Sequence, residues 1–113
     1  MNRVAAIQMV SSADVDRNLA EAGRLLGVAR EGGARLAALP ENFAYMGRVE
    51  ADKLAVAEAE GDGPIQAFVA RSARELGLWI VAGTIPLRTA DPLRVAAACL
   101  VFDAMGRQVV RYD

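Results

Sequence analysis

An α/β fold is predicted by three features of this sequence. Short apolar runs alternate with segments whose apolar residues recur at spacings of three and four, glycine and proline turns separate them, and 54% of the 113 residues are hydrophobic. The length suits one domain or part of one and excludes a two-domain enzyme. A mean hydropathy of +0.22 argues for a packed core and against disorder.

Residues 3–9 open with Val4, Ala5, Ala6 and Ile7, an apolar run bounded by Ser11 and Ser12, which predicts a buried strand. Val15, Leu19, Ala22, Leu26 and Ala29 then follow a helical period, with Asp14 as the N-cap and Gly32-Gly33 as the stop. Residues 35–39 form a second short strand, ended by Pro40, which has no N–H to give a sheet ladder. A strand, a helical crossover and a strand imply parallel neighbours in one sheet. Residues 41–47 read as a loop, and the alanine-rich residues 51–60 as a helix. Gly61-Asp62-Gly63-Pro64 is a turn, and Pro64 suits the first turn of a helix whose apolar face is Ile65, Phe68, Val69, Ala73 and Leu76, closed by Gly77. Residues 78–83 are a third strand and residues 84–94, with Pro86 and Asp91-Pro92, a connecting loop. Residues 95–102 and 107–112 flank Asp103-Ala104-Met105-Gly106 as an antiparallel hairpin, so the sheet is mixed, with helices on at least one face.

Thirteen basic and 14 acidic residues give a formal net charge of −1, and no segment concentrates positive charge, which excludes phosphate-backbone and anionic-membrane binding. No apolar run approaches the roughly 18 residues of a membrane span. Cys99, the single cysteine, has no internal disulfide partner, and the start lacks a signal-peptide pattern, so a cytoplasmic location is expected. The absence of histidine removes histidine triads and histidine metal sites. The closing Val109-Val110-Arg111-Tyr112-Asp113 is strand-like, with no terminal turn or cap, and is expected not to be a natural end.

Glu41 draws attention by position, because it follows a buried strand and a proline where α/β sheets place ligand sites, beyond the carboxyl ends of strands. Partly desolvated beside Phe43 and Tyr45, its carboxylate could act as a general base; a solvated loop glutamate is the other reading. Cys99 sits within an apolar run without a nearby cation and reads as core rather than nucleophile. Lys53, the only lysine, lies among Glu50, Asp52 and Glu58 and reads as an exposed ion-pairing residue. Trp79 reads as sheet core, while Phe43 and Tyr45 either line a pocket or staple their loop down. Gly61-Asp62-Gly63 lacks the glycine spacing of nucleotide loops and is a turn.

Several segments together resemble, in order and over essentially the whole chain, the amino-terminal part of the nitrilase or carbon–nitrogen hydrolase superfamily. They are residues 4–9 (Val4 to Met9), Asn18, Leu39-Pro40-Glu41-Asn42-Phe43, Gly61-Asp62-Gly63-Pro64, Trp79-Ile80-Val81-Ala82-Gly83-Thr84, and residues 100–113 through Gly106 to Arg111-Tyr112-Asp113. The likeness is to Nit-type amidases acting on small ω-amides such as deaminated glutathione. It implies the amino-terminal portion of a four-layer α-β-β-α sandwich, a homo-oligomer, usually a dimer, formed by packing of like sheets, and a Glu-Lys-Cys triad needing no metal or cofactor. In that chemistry a cysteine thiolate attacks the amide carbon, ammonia leaves, and water hydrolyses the thioester; glutamate is the base and lysine stabilises the oxyanion. Only Glu41 falls on a triad position. The lysine is implied immediately after Asp113 and the cysteine well beyond it, so neither Lys53 nor Cys99 is carried over. The expectation is therefore the Glu-bearing part of an amidase, inactive alone, whose partner is a small-molecule amide substrate. The alternatives are a non-catalytic module that associates with itself or with a full-length subunit, and a generic α/β ligand-binding domain.

Overall fold

The computed structural model describes residues 2–113. Five strands, β1 (Arg3–Ala6), β2 (Ala34–Leu39), β3 (Trp79–Arg88), β4 (Val95–Phe102) and β5 (Gln108–Tyr112), lie in the order β1-β2-β3-β4-β5. The first three are parallel, and β4 and β5 add antiparallel strands, giving the mixed sheet expected. Helices α1 (Val15–Glu31) and α2 (Pro64–Leu76) form the two crossovers, contact one another and pack against the sheet.

Local chemistry sets the helix ends. Asp14 caps α1, its carboxylate accepting the Arg17 N–H at 3.1 Å. Gly77 ends α2 in the left-handed conformation, φ 60°. Arg30 in the last turn of α1 donates to the Leu76 carbonyl at 2.8 Å, joining the two helix ends. The core lies between helices and sheet: Ala22 and Leu26 of α1, Ile65, Val69 and Ala73 of α2, and Ala37, Ile80, Ala82, Ala98 and Leu100 of the strands.

The other sheet face has no covering layer among the described residues. Register places Val4, Leu36 and Trp79 in one cross-strand row there, with Val81, Val101 and Val110 in another. Trp79 is 42% exposed, which corrects its expected core position. Cys99 is corrected in the same way, because it is half-buried on this face while its neighbours Ala98 and Leu100 face the helices. Both strands are apolar on both sides, so alternation gave no sign of which side the helices cover. One helix layer and one sheet layer make a partial α-β-β-α sandwich.

Three elements differ from those expected by more than one residue. Strand β1 ends at Ala6, although the Ile7 N–H still donates to the Ala38 carbonyl at 2.9 Å. The expected helix at 51–60 is a 3-10 helix, Glu50–Ala55, followed by an extended segment. The expected loop at 84–94 begins only after Arg88, because β3 runs on through Pro86. The last two corrections share a cause. Where β2 stops, Glu58 takes its place beside β3, its N–H donating to the Pro86 carbonyl at 3.0 Å and its carbonyl accepting the Arg88 N–H at 2.8 Å. This pairing makes no use of the N–H that proline lacks.

The side chain of Glu58 completes the junction. It is 5% exposed, and its carboxylate accepts the Ile65 N–H at 2.6 Å, the Gln66 N–H at 3.1 Å and the Gln66 amide at 3.0 Å, satisfying the free donors at the start of α2. Gly63 makes room for it, since a Cβ there would collide with the carboxylate. Alanine propensity in 51–60 yields to these contacts.

The β4–β5 turn depends on another carboxylate. Asp103 accepts the Arg107 N–H at 3.0 Å, the Met105 N–H at 2.9 Å and the Arg107 guanidinium at 3.1 Å. The Arg107 backbone bond, the Met105 backbone bond and the Arg107 side chain hold its carboxyl below the ordinary aspartate value.

Two outcomes follow. Glu58→Ala strands buried donors at the start of α2 and lowers stability by roughly 2–4 kcal/mol, read from the denaturant midpoint. Asp103 is a depressed carboxylate, so its contribution is complete above about pH 4 and is lost as pH falls through its lowered value. Asp103→Asn is therefore less stable than the parent at neutral pH, and acid titration of the unfolding midpoint shows the gap closing below that range.

Candidate active site

Glu41 stands just beyond the C-terminal end of β2, with a strand on either side of β2 in the sheet. Its side chain is exposed, which corrects the expected partial desolvation between Phe43 and Tyr45. Phe43 is instead fully buried and staples the loop to the core, and Tyr45 is half-buried.

The backbone on either side of Glu41 is tightly held. On one side Gly83 of β3 packs so close to the Pro40 carbonyl that a Cβ would overlap it. On the other, the Asn42 N–H donates to the Thr84 hydroxyl oxygen at 2.9 Å. Asn42 itself has φ 56°, a left-handed conformation that asparagine tolerates better than most residues, and its carbonyl accepts the Tyr45 N–H at 3.3 Å to close the turn.

Further along, the loop is fastened to the start of α1. Asn18 is 2% exposed, and its amide donates to the Ala44 carbonyl at 2.8 Å and the Ser12 carbonyl at 2.7 Å, while its oxygen accepts the Ser12 N–H at 3.0 Å. The Ser11 hydroxyl donates to the Phe43 carbonyl at 2.8 Å and the Met46 N–H to the Ser12 carbonyl at 2.9 Å. Asp52 of the 3-10 helix then accepts the Arg48 and Val49 N–H groups at 3.0 and 3.2 Å. The result is an exposed carboxylate on a backbone held from both sides.

The other sequence candidates do not join Glu41. Lys53 pairs with Glu50 at 3.2 Å, and its side chain is only 12% exposed, more covered than expected because its stem packs down while the charge is paired. Cys99 on β4 is separated from β2 by the whole of β3. Gly61-Asp62-Gly63 is a turn, as read. An open trough of about 840 Å³ beside α1 is lined by residues including Gln8, Arg17, Glu21 and Arg24, and Glu41 lies outside it. Glu21 and Arg24 pair there at 2.8 Å and converge on nothing. Among the described residues no group of three or more acidic or cysteine side chains is placed to hold a metal ion.

Sequence reasoning named Glu41 but assigned no role to the residues that hold it. Asn18 and Gly83-Thr84 were visible as motif residues, and their unusual types, an asparagine inside a helix and a glycine inside a strand, were the signal available.

Comparison with known proteins gives the family and the fold. The deaminated glutathione amidase of Yersinia enterocolitica is 32% identical over 111 residues, covering 97% of this chain and 38% of the relative. That of Synechocystis sp. strain PCC 6803 is 38% identical over 109 residues, covering 96% of this chain and 39% of the relative. The chain thus spans about two-fifths of the length of these relatives. The crystal structure of the C. elegans NitFhit protein superposes with a TM-score of 0.87 at 23% identity, over 96% of this chain and 26% of that one, a likeness of fold. Residues 3–113 match the carbon-nitrogen hydrolase family, and the chain belongs to it.

Proposed function

We propose that this chain supplies the general base of an amidase that hydrolyses a non-peptide carbon–nitrogen bond in a small ω-amide resembling deaminated glutathione. The observation that carries this reading is the placement of Glu41: an exposed carboxylate, immediately after β2, on a backbone fixed from both sides. The kinship with deaminated glutathione amidases supports the substrate class.

In the reaction Glu41 takes the proton from a cysteine thiol, and the thiolate adds to the amide carbon. A lysine ammonium stabilises the oxyanion, ammonia departs with a proton returned by Glu41, and Glu41 then activates the water that cleaves the thioester. In this reading the lysine and the cysteine are not among residues 1–113, and the chain contributes Glu41 as its one member of the triad. A reducing cytoplasm suits the free state of Cys99, the single cysteine of these 113 residues, and among the described residues no helix is long and apolar enough to cross a membrane. Assembly as a homo-oligomer belongs to the same proposal.

A second reading is favoured by the open sheet face, where Trp79 is 42% and Tyr112 75% exposed. A patch of this kind suits a non-catalytic module that pairs with itself or with a longer subunit.

The test grafts residues 1–113 in place of the matching segment of the Synechocystis relative and measures ammonia release from deaminated glutathione. The graft turns over, and Glu41→Gln lowers kcat by about a hundredfold or more with little change in KM. The isolated chain releases no ammonia. Full activity in Glu41→Gln, or turnover by the isolated chain, would sink the base assignment; an inactive chain that runs as a discrete dimer on size exclusion would favour the module.

A further inference from the structure

The placement of Glu41 depends on a strand 42 residues away in sequence, and one irregularity in that strand does the work. Along β3, Ala82 and Ile85 are both buried on the helix side, although three positions apart in a strand they should face opposite ways. The β3–β4 register shifts between them, so Gly83 and Thr84 form a bulge. Bulges redirect a side chain that regular pleating would send elsewhere. Here the bulge brings the Gly83 backbone against the Pro40 carbonyl and turns the Thr84 hydroxyl to the Asn42 N–H at 2.9 Å. The same hydroxyl donates, at 3.4 Å, to the Asn42 side-chain oxygen. The residues contacted, Pro40 and Asn42, are the two immediate neighbours of Glu41.

We propose that Thr84 is a positioning residue for Glu41: its hydroxyl, aimed by the Gly83–Thr84 bulge, holds the Asn42 amide and so fixes the direction in which the catalytic carboxylate leaves β2. The proposal rests on the reading of Glu41 as the general base. Glu41 is exposed and gains no restraint from burial, so its aim must come from its backbone. Pro40 fixes the entry φ, and Asn42 fixes the exit only while its left-handed conformation, φ 56°, is held. Thr84 supplies a bond to that residue from outside the loop. Displacement of a reacting group by about 1 Å can cost roughly a hundredfold in rate. Losing this bond is therefore expected to reduce turnover more than substrate binding.

Two measurements test it. In the 113-residue chain, amide exchange at Asn42 is followed by NMR in the parent, Thr84→Val and Thr84→Ser. Valine keeps the volume and removes the acceptor, whereas serine keeps the acceptor. Exchange at Asn42 accelerates about tenfold or more in Thr84→Val and stays near the parent rate in Thr84→Ser; unchanged exchange in Thr84→Val overturns the clasp. In the graft with the Synechocystis relative, Thr84→Val lowers kcat by about 10–100-fold with KM within about twofold, and Thr84→Ser restores kcat to within about threefold. Equal kcat in Thr84→Val and the parent, while Glu41→Gln is inactive, overturns the positioning role. Equal loss in Thr84→Val and Thr84→Ser overturns it too, since that pattern marks a packing defect. Activity that survives Glu41→Gln defeats the base assignment instead, and the Asn42 exchange rates then still decide whether the clasp exists.

Discussion

A buried carboxylate is costly unless its oxygens are satisfied, and Glu58 meets that condition in a way that sets much of the surrounding structure. Its backbone bonds to Pro86 and Arg88 replace β2 beside the outer half of β3, and its carboxylate accepts the leading N–H groups of α2. One residue therefore joins sheet, loop and helix. The length of β3, the starting point of α2 and the need for glycine at position 63 follow from it.

The loop that carries Glu41 follows the same logic with neutral groups. Asn18 is buried, and both ends of its carboxamide are engaged, with Ser12 and Ala44 as partners. Apolar contact alone leaves a loop free to slide; directional bonds from buried polar groups do not. Phe43 adds the apolar anchor beneath. The loop is thus clamped by α1 at one end and β3 at the other, while the carboxylate between them stays in solvent.

The two sheet faces are chemically similar and structurally different. Alanine, isoleucine and leucine meet the helices on one side, and valine, leucine and tryptophan face outward on the other. This open apolar face is consistent with a partial α-β-β-α sandwich, and Glu41 follows the C-terminal end of β2.

The sequence by itself determined the five strands, the two long helices and their order, because apolar period, the Asp14 cap and the glycine stops are local properties. It also singled out Glu41 as following an apolar strand ended by proline, and the structure has it just past the end of β2. Tertiary structure alone decided three things. Residues 51–60 gave up helix once Glu58 could satisfy α2, Trp79 and Cys99 turned to the open face, and Thr84 and Asn18 came to hold the loop. Each turns on contacts between residues distant in the chain or on which sheet face is covered, such as the Asn42–Thr84 bond across 42 residues. No local pattern records such a contact, because its free energy exists only after the strands have paired.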